Sequence, residues 1–162
     1  MSNRVYNFNA GPATLPLPVL EEIKEEFLNY QGSGMSIIES SHRSPEYSAV
    51  HEETSALFHE LLGIGDDYKV MFVGGGASTQ FFTVPMNLLS GRKKADYIRT
   101  GTWAKKAITE AQLFGDIHVA GNSENEEGKF NYCPNQSQLD LRDGTVYLHF
   151  TSNNTIAGTQ YH

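Results

Sequence analysis

The sequence predicts an α/β fold with a mostly parallel sheet flanked by helices. Two observations carry this expectation. Short apolar runs alternate with amphipathic segments as strand, helix, strand, helix, strand, helix, strand over residues 68–152. The loops "GGGAST", "TGTW" and "SNNT" each follow one of those runs, at the carboxyl ends where such sheets collect ligands. The chain has 162 residues, 39% hydrophobic and 19% charged, enough for a packed core and one domain of ordinary size.

Residues 1–15 read as an irregular N-terminal segment, since "NAGPATLPLP" is dense in turn formers. A helix is predicted to start near Pro18, with Val19, Ile23, Phe27 and Tyr30 at helical spacing and glutamates elsewhere on its surface. "GSGMSIIESSHRS" is a loop. Ser44-Pro45 reads as a cap and first-turn proline. The helix that follows runs to Leu62, turns Val50, Thr54, Leu57, Phe58 and Leu61 inward, and closes at Gly63. "YKVMFV" reads as a buried strand. "TQFFTVPMNLL" is helical, with Pro85 fitting only near the first turns or at a kink.

"ADYIRTG" and "DIHVAG" are strands on either side of the amphipathic helix "TWAKKAITEAQLFG". "NSENEEGKFNY" is a polar turn region and "PNQSQLDL" a short helix at best. "TVYLHFTS" is a fourth strand entering the loop "NNTIAGTQ".

Charge narrows the partners. Lys plus Arg total 12 against 19 Asp plus Glu, a net charge of −7, which argues against nucleic acid. The single cysteine, Cys133, forms no intrachain disulfide. No apolar run approaches the roughly 18 residues of a membrane span, and "MSNRVYNFNAGPATLP" lacks a signal-peptide core. The reading is a cytoplasmic protein with no membrane partner. His51 and His59 share a helix, but Ser55 stands where H-E-x-x-H needs its second histidine, so no metal site is expected.

"GGGAST" lets the backbone approach a ligand, and the following helix N-terminus favours an anion such as phosphate. A strand-to-helix turn without ligand remains open. The loop has no P-loop lysine, and Thr79 stands where a dinucleotide loop needs its third glycine. Asp96 reads as a strand-start or turn residue rather than a ribose ligand. Trp103 is either core or a stacking surface for a flat cofactor. Arg43 with His42, flanked by Ser41 and Ser44, is either solvated or an anion clamp.

Taken in order, "NFNAGPATLP", "SHRS", "GGGASTQF", "TGTWAKKAITEA" and "FTSNNTIAGTQ" resemble the phosphoserine aminotransferases, pyridoxal-phosphate enzymes of aspartate-aminotransferase-like fold. The resemblance implies a large-domain fold, here incomplete. Residues 16–162 would be the N-terminal part of the pyridoxal-phosphate-binding domain, without its later strands or the small C-terminal domain. It implies transfer of an amino group from glutamate to 3-phosphohydroxypyruvate, giving phosphoserine in serine biosynthesis, by a homodimer at full length. Ala77 and Ser78 would hold the cofactor phosphate, Trp103 would stack on the pyridine, Thr155 would bond near the ring hydroxyl, and Arg43 with His42 would bind a substrate anion.

The family's ring-nitrogen aspartate and Schiff-base lysine lie beyond "GTQ". Lys93, Lys94, Lys105, Lys106 and Lys129 do not match that lysine's motif. No catalytic residue is therefore assigned, and the chain alone is expected to be inactive, with an unpaired sheet edge. Two alternatives stay open: another aminotransferase or a desulfurase of the same fold, and a non-catalytic phosphate- or nucleotide-binding α/β domain.

Overall fold

The computed structural model describes residues 4–9 and 11–162. Of the irregular segment predicted for 1–15, residues 1–3 and 10 lie outside that description, and the rest contains no helix or strand. The chain divides into two compact units, Met1–Phe72 and Val73–His162.

In the first unit, helix α1 spans Leu17–Glu26 with Pro18 in its first turn. It ends before Phe27 and Tyr30, and Tyr30 begins a separate 3-10 turn. Helix α2 spans Pro45–Leu62 and has the predicted ends. The Ser44 hydroxyl accepts from the Tyr47 N–H at 3.3 Å, and Gly63 closes the helix at φ 61°, where a side chain would be strained. The inward face predicted for α2 is not buried. Leu57, Phe58 and Leu61 are all exposed by 44% or more, and among the described residues this unit contains no strand to pack on them.

The strand predicted at "YKVMFV" does not form, and Met71, Phe72 and Val73 are largely exposed. A strand needs a ladder partner, and among the described residues none pairs with this run. Phe72 instead packs by its ring, 5.2 Å from His51 and 6.1 Å from Phe58 of α2.

The second unit holds the sheet and the core. Helix α3 is Ala77–Leu88, strand β1 Lys94–Arg99, helix α4 Thr102–Ala111, strand β2 Asp116–Asn122 and strand β3 Leu148–His149. The sheet order is β2-β1-β3, with both pairings parallel. β1 is central and buried at four consecutive positions, as expected of a strand covered on both faces. α4 buries Ala104, Ala107, Ile108 and Ala111, one helical stripe whose small side chains let its backbone lie close to the sheet. Leu89, Ala95, Tyr97, Ala107, Ile108 and Ala111 form the core, with Phe81, Phe114, Ile117 and Tyr147 packed around it.

Several details differ from expectation. Pro85 lies well inside α3 and is buried, so the Phe81 carbonyl lacks its usual helical donor. Gly115 follows α4 without a positive φ; it is needed for space, since a Cβ there would sit 2.6 Å from the Lys93 carbonyl. Opposite Tyr97 and Ile98, β2 inserts Ala120 as a bulge, and the Ala120 carbonyl accepts from the Asp140 N–H at 2.8 Å. The loop "NNTIAGTQ" folds as a small hairpin, β4 Asn153–Asn154 against β5 Thr159–Gln160.

Asp96 lies inside β1 rather than ahead of it, and is 1% exposed. Arg142 meets it. The Arg142 Nε donates to Asp96 Oδ1 at 2.9 Å and its backbone N–H to Oδ2 at 2.8 Å. The same guanidinium reaches Asp116 Oδ2 at 3.0 Å and the carbonyls of Ala95 and Asp116. One arginine thus ties the starts of β1 and β2 to the segment leading into β3.

His149 stacks on Tyr97 with ring centroids 4.6 Å apart, and its Nδ1 is buried without a partner. Burial pushes this imidazole below its ordinary pKa, because the charged ring is the form that desolvation penalises. Tyr97 in turn shares a 2.8 Å hydroxyl contact with Tyr147. Burial and then that bond raise the Tyr97 pKa.

Two outcomes follow. Arg142→Met strands a buried carboxylate, so its thermal melting point should fall by several degrees. Adding Asp96→Asn should recover part of that loss, and a double variant no better than the single one would refute the clamp. For His149, the unfolded ring takes up a proton near its ordinary value of about 6.5, whereas the folded ring does so only at lower pH. Acid therefore favours the unfolded chain. Melting measured against pH should show wild type losing stability below about pH 6.5 relative to His149→Phe, with parallel curves contradicting a neutral buried ring.

Candidate functional site

β2 and β3 flank β1 on opposite sides, and parallel sheets collect ligands at the carboxyl ends of their strands. The loops there are 100–103 after β1 and 151–155 after β3, and hydrogen bonds join them. The Asn154 Nδ2 donates to Thr100 Oγ1 at 3.0 Å, and the Thr159 hydroxyl donates to the Thr100 carbonyl at 2.7 Å. Thr100 and Asn154 are fully buried. Gly101 is required between them, since any Cβ would overlap the Asn154 side chain.

This seam sets the two residues predicted to face a flat ring. Trp103 is the second residue of α4, and its indole Nε1 donates to Thr155 Oγ1 at 3.1 Å. The Thr155 hydroxyl accepts that bond, which leaves its own proton free for another acceptor. The indole is half-buried, so it is neither sealed in the core nor fully solvated. Lys106, one turn along α4, holds its Nζ 4.7 Å from the indole centroid.

Ala77 and Ser78 open α3. Its N-cap is Gly76, with no side chain supplying the cap, so first-turn N–H groups remain available to a ligand. Gly75 adopts φ 83°, a conformation glycine takes without strain. Ser78 and Thr102 line a common cavity of about 490 Å³ with Phe81, Lys105, Lys106, Thr109 and Glu110. The start of α3 and the start of α4 therefore open on the same space.

Two polar atoms near the seam have no partner: Asn154 Oδ1 and Thr151 Oγ1 are buried and unbonded. The donor set of N–H groups and hydroxyls, the half-buried indole and these unmet polar atoms fit a phosphorylated aromatic ring. Lys105, though it lines the cavity, has its ammonium engaged 3.0 Å from Glu124, which also pairs with Arg99. Its hydrogen bond is the leading cause that lowers the Glu124 pKa. Burial raises the Cys133 thiol pKa, which disfavours the thiolate a nucleophile would need.

Arg43 and His42 belong to the first unit. The Arg43 Nε lies 3.4 Å from His42 Nε2, and its backbone N–H bonds the Ser41 hydroxyl at 3.3 Å. His42 lines a cavity of about 320 Å³ with Tyr47, Ser48, His51, Glu52 and Phe72. Arg43 is exposed and has no ion pair among the described residues. No helix is long and apolar enough to cross a membrane, and no group of three metal-ligating side chains gathers among the described residues.

Sequence reasoning missed Thr100, Asn154 and Lys106. The Asn-Asn pair in "SNNT" was the available signal for Asn154, but its partner lies 54 residues away. Lys106 sits three positions after Trp103, the helical spacing at which side chains meet.

Known proteins share this arrangement of chain. A phosphoserine aminotransferase of Desulfotalea psychrophila is 56% identical over 161 residues, covering 99% of this chain and 44% of that protein. The solved phosphoserine aminotransferase from Bacillus circulans subsp. alkalophilus superposes with a TM-score of 0.87 at 52% identity, covering 95% of this chain and 42% of the other. A pyridoxal-phosphate-bound phosphoserine aminotransferase from Trichomonas vaginalis gives a TM-score of 0.88 at 34% identity, covering 98% and 44%. The chain thus spans less than half the length of these relatives. The aminotransferase class-V family matches residues 5–162, and with the α/β fold and the joined strand-end loops in agreement, the chain belongs to that family.

Proposed function

We propose that this chain is the cofactor-holding part of a pyridoxal-phosphate-dependent phosphoserine aminotransferase, residues 16–162 being the N-terminal part of its large domain. The observation that carries the proposal is the Trp103–Thr155 bond at the start of α4, whose first residue, Thr102, lines a cavity together with Ser78. Similarity to phosphoserine aminotransferases along 99% of the chain supports the choice of reaction. In that reaction glutamate gives up its amino group and becomes the keto acid, while 3-phosphohydroxypyruvate becomes phosphoserine.

Each residue has a physical task. The first-turn N–H groups of α3 at Ala77 and Ser78, with the Ser78 hydroxyl, hold the cofactor phosphate at the positive end of the helix dipole. The Trp103 indole presents a flat face to the pyridine and keeps water from it. The Thr155 hydroxyl, already accepting from the indole, directs its proton to the oxygen on the ring. Arg43, with His42 beside it, binds an anionic group of the substrate through a planar fork of donors. Bound there, pyridoxal phosphate supplies the electron sink for amino transfer; the residues above supply orientation and electrostatics. The covalent lysine is not assigned to any residue of this chain. A homodimer and a cytoplasmic setting belong to the same proposal and rest on the family resemblance.

The full-length protein should turn over glutamate with 3-phosphohydroxypyruvate, whereas the 162-residue chain alone should not. Ser78→Ala should weaken cofactor binding about tenfold or more, the scale of one lost hydrogen bond to a charged group. Arg43→Gln should raise the KM for 3-phosphohydroxypyruvate with less effect on kcat. Equal activity on unphosphorylated keto acids would favour another class-V aminotransferase. Binding of adenine nucleotides in place of pyridoxal phosphate would favour a non-catalytic domain.

A further inference from the structure

Lys105 and Lys106 are adjacent but differently employed. Lys105 is engaged by Glu124 at 3.0 Å and lies 6.0 Å from the Phe130 ring centroid. Lys106 has no ion pair among the described residues, and its ammonium lies 4.7 Å from the centroid of the Trp103 indole. A cation this close to an indole face is attracted by the ring quadrupole. The spacing of three residues on α4 brings the two side chains together without strain in the helix.

The indole is thereby held at two points. Its N–H edge is fixed to Thr155 across the seam, and one of its faces is covered by Lys106. One hydrogen bond alone leaves a ring free to rock about the bonded edge. A second contact out of the ring plane removes that freedom and leaves the opposite face for a flat ligand. We propose that Lys106 is a positioning residue that fixes the Trp103 ring for stacking on the cofactor, an inference that rests on the stacking role proposed for Trp103.

The test uses the full-length protein and pyridoxal phosphate itself, with three single variants: Lys106→Met, Lys106→Arg and Trp103→Leu. Two readouts are taken, the dissociation constant for pyridoxal phosphate and the circular dichroism of its bound visible band, which reports how the ring is held. Thermal melting checks that each variant folds, and the exposed position of Lys106 makes loss of folding unexpected. Lys106→Met should weaken binding about threefold to tenfold and diminish the dichroic band. Lys106→Arg should restore both, since a guanidinium also stacks on an indole.

If Lys106→Met matches wild type while Trp103→Leu weakens binding, the Lys106 proposal is overturned and the stacking role stands. If Trp103→Leu also matches wild type, the stacking role falls and this proposal with it. Tighter binding by Lys106→Met would overturn the proposal by making the ammonium a competitor for the ring face. Equal weakening by the Met and Arg variants would do so as well.

Discussion

A carboxylate buried in the central strand is the constraint on which the rest of the second unit depends. Asp96 is 1% exposed in β1, and a charge in that setting demands a partner of opposite sign with good hydrogen-bond geometry. Arg142 supplies it from 46 positions further along the chain. Because the same guanidinium also binds Asp116 and two backbone carbonyls, it fixes the starts of β1 and β2 together with the approach to β3. β3 is then in register beside β1, with Asp96 opposite Leu148 and Tyr97 opposite His149. A clamp at the amino ends of the strands thus decides which loops meet at the carboxyl ends.

Those loops meet through Thr100. Its hydroxyl accepts from Asn154 and its carbonyl from Thr159, so the short hairpin after β3 is anchored to the turn after β1. Trp103 and Thr155 each lie one to three residues from that anchor and inherit its rigidity. This is the usual division between a scaffold and a site on its loops: the sheet supplies position and the loops supply chemistry. Ala77 and Ser78 join through a different route, the packing of α3 against the same core by way of Phe81.

Much of this was legible in the sequence wherever a local signal decided the outcome. Ser44-Pro45 and Gly63 marked both ends of α2, and the amphipathic helix α4 and the strands β1 and β2 were read correctly because local pattern and pairing agree there. Local signals failed where distant partners decide. "YKVMFV" has a strand's composition but no ladder partner among the described residues, and the apolar residues of α2 have helical spacing but no strand within their own unit among those residues. Pro85 is tolerated within α3, which composition alone would not foresee. The candidate site was half visible: sequence placed Ser78, Trp103 and Thr155 at strand ends, but the Trp103–Thr155 bond spans 52 residues and the Asp96–Arg142 clamp behind it spans 46.

Under the proposed function, the starts of α3 and α4 and the hairpin turn form one seat for a phosphorylated pyridine. The most direct measurement is a crystal structure of the full-length protein with pyridoxal phosphate. The phosphate should lie against the N–H groups of Ala77 and Ser78, the pyridine against the Trp103 indole, and the ring oxygen within hydrogen-bond reach of Thr155. A cofactor bound elsewhere, or a phosphate at another helix with Trp103 left uncovered, would contradict it.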